Sequence, residues 1–212
     1  MDRVEIKEEA KKIIKTNKWN IWKPFVVLAL VSFAISFVVA IIANIAGLDN
    51  ELTVSITESV VSFALIPVTV GILAYTLKLV RGQEYSLDDM KKYYPFFVKI
   101  LVLDILVSVF VFLWSLLLII PGIIAALGYT MVYYILIDNE ELSASEIMAE
   151  SKAMMKGYKL DYFIFNLSFI GWFLLVPFTF GLLLIWLYPY VIAAEALYYD
   201  KLAAKYNSKK NN

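Results

Sequence analysis

The sequence of 212 residues contains no cysteine and no histidine. Without cysteine there can be no disulfide and no thiolate chemistry, and the common zinc sites lose their usual ligands. Without histidine, the most frequent general acid–base residue of enzymes is missing. The sequence also has no glycine-rich phosphate loop, no serine-based triad and no paired-carboxylate motif. We therefore expect no enzymatic activity, no metal site and no cofactor.

An excess of charge of either sign is lacking too. Nineteen Lys and Arg residues balance nineteen Asp and Glu residues, and no basic run is interleaved with aromatic residues that could stack on bases. Nucleic acid is therefore not an expected partner. What the chain has in abundance is apolar side chains, at 61% of its residues, whereas soluble domains have about 45–50%. This excess predicts a surface that mostly faces lipid, so the lipid bilayer is the first expected partner.

The first 23 residues are polar and compatible with a helix. Ile6, Ala10 and Ile14 fall on one apolar stripe at helical spacing, and Trp19 and Trp22 follow it. Tryptophan is typical of membrane–water interfaces. Residues 1–23 are therefore interpreted as an interfacial helix that lies on the membrane, with a solvated N-terminal helix as the alternative.

Long uncharged runs then alternate with short polar connections. Each run is long enough, or nearly so, to cross a hydrocarbon core of about 30 Å. We expect an all-α polytopic membrane protein in one domain, residues 1–212, with about six transmembrane helices as three hairpins and with cytoplasmic amphipathic helices. The hairpins occupy residues 24–81, 86–138 and 143–200, the last including an amphipathic helix, and a polar tail occupies residues 201–212. Breaks are expected in a polar loop at 49–57, at Pro121-Gly122 and at 178–181.

Two capping boxes mark the starts of short helices. One is Ser86–Asp89, and the other is Ser143–Glu146. The second opens an amphipathic helix with Ile147, Met154 and Tyr158 on its apolar face. Its charged face can dock a cytoplasmic protein partner, or it can simply be solvated.

The order of an amphipathic helix, an apolar helix, a break and a second apolar helix occurs three times, which predicts an internal repeat. The interval from Pro67 to Tyr75 equals that from Pro121 to Tyr129, and Tyr188 takes the matching position in the third unit. These three tyrosines can line a shared central site. The alternative is that they are ordinary interfacial or packing tyrosines.

The basic residues indicate the orientation in the membrane. All nineteen lie in residues 3–23, 78–99, 152–159 and 201–210, and none lies in the three expected breaks. The positive-inside rule then places both termini in the cytoplasm. A re-entrant second hairpin, which enters and leaves the membrane on the same side, would give the same charge pattern. This alternative stays open because the arm 122–137 is only about 24 Å long as a helix.

Asp104 and Glu195 lie within apolar segments, where an ionisable group is costly and often functional. Together with Lys78 and Lys99 they form a candidate intramembrane polar site, which can be a proton or cation route. Alternatively, both carboxylates pair with Lys78, Lys99 or Arg81 near the inner interface and fix the packing of helices.

The C-terminal half of the chain resembles an uncharacterised family of integral membrane proteins from Gram-positive bacteria, the domain-of-unknown-function family nine hundred and seventy-five. The resemblance covers residues 85–200 well and implies a bacterial plasma-membrane protein, but it brings no activity. It rests on these segments: Ile120-Pro121-Gly122, the run through Tyr129 and Tyr133 to Asp138-Asn139, Ala144 to Tyr158, Leu167 to Trp172, and Leu187 to Tyr190.

Two functions remain open from the sequence. The first is a non-enzymatic module that binds lipid or a membrane or cytoplasmic protein partner, in envelope maintenance or in tolerance of membrane-active peptides. The second is a small transporter or channel that uses the intramembrane carboxylates. The sequence does not indicate an oligomeric state.

Overall fold

A computed structural model of the protein describes residues 1–47 and 51–210. Over these residues the chain forms eleven α-helices and three short 3-10 helices, without a strand. The α-helices are α1 Arg3–Thr16, α2 Lys18–Ile45, α3 Glu51–Ala64, α4 Ile66–Val80, α5 Phe97–Leu117, α6 Ile119–Gly128, α7 Val132–Asp138, α8 Ala144–Met154, α9 Lys159–Leu167, α10 Ile170–Leu175 and α11 Leu182–Lys210.

Five helical segments in the described part of the chain are long and apolar enough to cross a membrane, which confirms an all-α polytopic protein. They are Lys18–Ile45, Leu52–Val80, Leu87–Leu117, Ile119–Asp138 and Leu182–Lys210. The sixth expected span is not among them, because the chain from Lys159 to Leu175 is divided into the short helices α9 and α10.

The first hairpin pairs α2 with the successive helices α3 and α4. The sequence predicts a polar loop at 49–57, but α3 already begins at Glu51, so that prediction is wrong from this residue onward. Residues 49 and 50 of the predicted loop lie outside the described residues. Backbone at membrane depth needs internal hydrogen bonds, which favours helix over loop in such a segment. Pro67 lies in the first turn of α4, where its missing N–H costs little.

The second hairpin pairs α5 with α6 and α7, and it turns earlier than the sequence predicts. Leu118 is extended, with φ −164° and ψ 149°, and α6 begins at the next residue. The expected break at Pro121-Gly122 is therefore wrong, because Pro121 fits the first turn of a helix without breaking it. A Cβ at Gly122 would lie 2.9 Å from Cα of Ser115. Glycine thus lets α6 return closely along α5.

The third hairpin turns at the expected place. After the 3-10 helix Pro177–Thr179, Phe180 and Gly181 adopt left-handed backbone conformations with φ 49° and 84°. The long helix α11 then begins at Leu182 and continues through Pro189. The predicted break at 178–181 is confirmed. The three hairpins follow the order of the proposed repeat, whose equivalence in sequence stays a prediction.

The hydrophobic core lies at the end of the hairpins where the basic segments are. Leu77, Leu136 and Leu202, near that end of their helices, are at most 1% exposed. At the hairpin tips, by contrast, Ile119 is 77% exposed and Phe180 is 96% exposed. The tips therefore present apolar side chains that only lipid or another apolar surface can cover.

Helix α1 belongs to this core. Ile6, Ala10 and Ile14 are buried where α1 packs along α11. Lys201 of α11 reaches across to Glu5 of α1, at 2.9 Å. The helix that the sequence interprets as lying on the membrane thus also packs against the protein.

Helix α8 opens with the predicted capping box, in which Ser143 and Glu146 bond each other's backbone N–H groups. On its buried face, the Ser151 hydroxyl accepts a hydrogen bond from the Met131 N–H at 3.3 Å and donates one to the Gly128 carbonyl at 2.9 Å. Ser151 therefore satisfies the backbone groups at the break between α6 and α7.

The other predicted capping box, Ser86–Asp89, is confirmed at the start of the 3-10 helix Leu87–Met90. This short helix lies directly on α4. A Cβ at Gly71 would lie 2.5 Å from Cα of Met90 and 2.6 Å from its carbonyl oxygen. The absence of a side chain at Gly71 permits this close approach.

Candidate functional site

Arg81, directly after α4, ties the three hairpins together at the basic end. Its two terminal nitrogens donate to the carboxylate of Asp138 at 2.7 and 2.8 Å, and its Nε donates to Asp200 at 2.7 Å. The Tyr199 hydroxyl also donates to Asp138, at 2.8 Å. Hydrogen bonding to Asp138 raises the pKa of Arg81 above its usual value, although partial burial opposes this. The network fixes the C-terminal ends of α4 and α7 relative to each other and to the middle part of α11.

The two lysines of the candidate polar site, Lys78 and Lys99, bind residues in the segments that connect the helices. Lys78 pairs with Asp89 at 2.5 Å, and Lys99 donates to the backbone carbonyl of Glu140. Both partners lie in connecting segments at the basic end, which the chain brings back over the ends of α4 and α5. These contacts hold the connections onto the core.

The two intramembrane carboxylates instead bond to tyrosine hydroxyls. Tyr133 donates to Asp104, and Tyr162 donates to Glu195 at 3.3 Å. The expected pairing of Asp104 and Glu195 with Lys78, Lys99 or Arg81 is therefore wrong, because those cations have closer partners. Asp104 and Glu195 bond to different helices, and the structure does not bring the four candidate residues into one cluster.

The three tyrosines at matching repeat positions have different surroundings. Tyr75 is 1% exposed and donates to the Asn20 carbonyl at 2.8 Å. Tyr129 is 5% exposed and lies under the ammonium group of Lys152. Tyr188 is 53% exposed. A shared site needs all three side chains to face the interior, so the structure does not assemble the predicted site.

A groove of about 1010 Å³ runs between α1, the start of α2 and the start of α11. Its walls are mainly apolar, and the Trp186 ring packs against Trp172 at 5.6 Å and against Tyr190 at 5.0 Å. Its lining includes three tryptophans and several aliphatic side chains: Trp19, Trp22, Trp186, Ile14, Val26 and Ile185.

One end of the groove carries positive charge. Lys11, Lys15, Lys18 and Lys23 line it, and none of the described lining side chains is acidic. Lys11 pairs with Glu8 at 2.7 Å. For Lys15, Lys18 and Lys23, the described residues provide no carboxylate within ion-pair distance. The lysines belong to α1 and the first turns of α2, and along α2 Val26 lies about 12 Å beyond Lys18 and about 4.5 Å beyond Lys23.

The sequence indicates part of this groove and misses the rest. Trp19 and Trp22, which the sequence places beside a basic segment, both line the groove, whereas their position at a membrane interface stays a prediction. Ile185 and Trp186, which complete the wall, are more than 150 positions away in the sequence, and nothing in the local pattern connects them to α1. The described residues hold no group of three or more His, Cys, Asp or Glu side chains placed to bind a metal ion.

Comparison with curated proteins and with solved structures gave no match. The sequence profile of a family described as "Protein of unknown function (DUF975)" matches residues 1–128 and 116–206. The two matches together extend from the first residue to residue 206, far more than half of the chain. The resemblance inferred from the sequence is thereby confirmed: the chain belongs to this family of unknown function.

Proposed function

We propose that the protein is a non-enzymatic, multi-pass membrane protein that binds an anionic lipid in the groove between α1, α2 and α11. The observation that carries this proposal is the combination of an apolar wall with a lysine-lined end. We place the protein in the bacterial plasma membrane with both termini in the cytoplasm, because its basic residues cluster at the core end of the hairpins.

The dimensions of the groove suit an amphiphile. A phosphate near Lys15 and Lys18 would receive charge-assisted hydrogen bonds. Its acyl chains would lie along Val26 and Ile185, and Trp22 would lie at the level between the two. Tryptophan prefers this level of a bilayer because its ring is apolar and its N–H is polar. Charge and shape thus follow the order of headgroup, interface and chain.

Transport through Asp104 and Glu195 is the competing function. A shared polar route would need the two carboxylates to face a common space. Each instead accepts a hydrogen bond from a tyrosine of a different helix, Tyr133 or Tyr162. This arrangement supports a packing role for both carboxylates.

A lipid-binding module fits two cellular roles, envelope maintenance and tolerance of membrane-active peptides. Cationic peptides act on anionic lipids, so a protein that binds such lipids competes for the same headgroups. The exposed face of α8 and of the turn that follows it, with Glu146 and Lys156, is available for a cytoplasmic protein partner.

The test is a lipid titration of the purified protein in neutral detergent micelles. Phosphatidylglycerol with brominated acyl chains should quench tryptophan fluorescence, because three tryptophans line the groove. Brominated phosphatidylcholine should quench at least fivefold less at equal concentration. Lys15→Gln/Lys18→Gln should weaken phosphatidylglycerol binding about thirtyfold, since each of the two lysines near an anionic surface contributes about 1 kcal/mol.

Two matched controls distinguish lipid binding in the groove from nonspecific electrostatic attraction between anionic lipid and the basic residues of the protein. Lys12→Gln/Lys91→Gln removes the same charge outside the groove and should leave binding within twofold. Val26→Phe narrows the groove and should weaken quenching, whereas Val31→Phe, on the same helix but outside the lining, should not. Equal weakening by the groove and control variants would exclude the groove as the binding site.

A further inference from the structure

A second, smaller pocket of about 310 Å³ lies where α8 and α9 meet the hairpin of α5 and α6. Its outer wall is apolar and is formed by Trp114, Pro121, Ile124 and Ala125. Its inner side contains Tyr129 and the side chains of two lysines. The pocket therefore joins an apolar wall to a positively charged side.

The two lysines converge on Gly128, although they come from different helices. Lys159 Nζ donates to the carbonyl of Ile124 at 2.9 Å, and Lys152 Nζ lies 5.9 Å from the centre of the Tyr129 ring. A Cβ at Gly128 would lie 3.2 Å from Lys159 Nζ and 3.6 Å from Cγ of Lys152. Glycine at this position leaves the space that the lysine side chains occupy.

The charge of this lysine pair is not balanced by a carboxylate within the described part of the chain. At the same end, Lys78, Lys92 and Lys201 each pair with an acidic side chain, whereas the lysines of the groove, apart from Lys11, share the lack of such a partner among the described residues. Burial, together with the neighbouring Lys152, lowers the pKa of Lys159 below its usual value. An anion between the two ammonium groups would remove this repulsion.

We infer that Lys152 and Lys159 bind a phosphate group, with Tyr129 and Gly128 shaping the pocket and with Trp114 at its apolar wall. The compactness of the pocket and the two lysine side chains that line it suit a phosphate monoester, and the apolar wall suits an attached acyl chain. This site is separate from the groove of α1, α2 and α11, and the inference does not rest on the proposed function.

The experiment uses the full chain in neutral detergent, with two probes that carry the same chemistry. One is dioleoyl phosphatidic acid, and the other is inorganic phosphate. Both should raise the melting temperature, and Lys152→Gln/Lys159→Gln should weaken the apparent affinity at least tenfold. Phosphatidic acid with brominated chains should quench a component of the fluorescence that is lost in Trp114→Phe, whereas inorganic phosphate should not quench it.

The control Lys156→Gln/Lys205→Gln removes two nearby charges outside this pocket and should bind both probes within twofold of the wild type. Lys15→Gln/Lys18→Gln, which alters only the groove, should keep the Trp114 component.

If only phosphatidic acid binds, the site takes a lipid headgroup, and if both bind equally, it takes soluble phosphate. Binding by the double lysine variant within twofold of the wild type would overturn the inference. Should that variant fail to fold, the single Lys152→Gln, whose side chain is exposed, provides the same test.

Discussion

At the scale of single residues, the sequence identifies which side chains are unusual but not their partners. Asp104 and Glu195 stand out because they interrupt apolar runs. Their partners, Tyr133 and Tyr162, are 29 and 33 positions away, and one tyrosine among 14 has no local mark that distinguishes it. Pairing by charge was the simplest prediction, and for Arg81 it failed because this residue binds Asp138 at the end of α7 and Asp200 within α11.

Ser151 gives a prediction at this scale. Ser151→Ala leaves the Gly128 carbonyl and the Met131 N–H without their hydroxyl partner in a buried place. Unsatisfied buried groups cost about 1–3 kcal/mol, so the melting temperature in detergent should fall measurably. Ser145→Ala, in the exposed first turn of the same helix, is the matched control and should change the melting temperature little. Equal shifts in the two variants would contradict the bridging role of Ser151.

At the scale of elements, local signals predicted two capped helix starts and the turn of the third hairpin, but they misplaced the turn of the second hairpin and missed the start of α3. Both capping boxes were predicted, because the residues that make them are only three positions apart. The turn of the second hairpin was misplaced by about three residues, since Pro121 is equally compatible with a break and with a first helical turn. The early start of α3 was missed, because its polar residues are typical of a loop in water. In a membrane, the backbone needs internal hydrogen bonds, which favours a helix for the same residues.

Gly71 tests how the 3-10 helix Leu87–Met90 is held on α4. In Gly71→Ala, the new methyl group would lie 2.5 Å from Cα of Met90, which is backbone and cannot rotate away. Such overpacking costs about 1–3 kcal/mol, so thermal stability in detergent should fall. Gly171→Ala, in α10, meets no atom within 4 Å and should be neutral or slightly stabilising. A Gly71 variant as stable as the Gly171 variant would show that the two elements do not pack this closely.

At the scale of the whole molecule, the sequence predicts a membrane protein of helical hairpins but not the position of its core. Apolar helices gain little by packing together in lipid, because lipid chains are as apolar as leucine. The tips of the hairpins can therefore remain exposed. At the basic end, charges must be paired and backbone breaks satisfied, as by Arg81 and Ser151. Side-chain packing is concentrated at the basic end because these groups need partners. A hydropathy pattern does not contain the positions of these partners, so it does not predict where the core lies.

The orientation of the molecule gives the last prediction. All nineteen basic residues lie in segments that the hairpins bring to the core end, so this end should face the cytoplasm. In intact cells, a membrane-impermeant thiol reagent should label Asn50→Cys, which lies between α2 and α3 in the sequence, and should not label Ser208→Cys in the last turn of α11. The native chain has no cysteine, so each variant carries a single reactive thiol. After the cells are lysed, both variants should react, which controls for access. Labelling of Ser208→Cys alone in intact cells would reverse the orientation, and it would place the lysines of both proposed phosphate sites at the outer face.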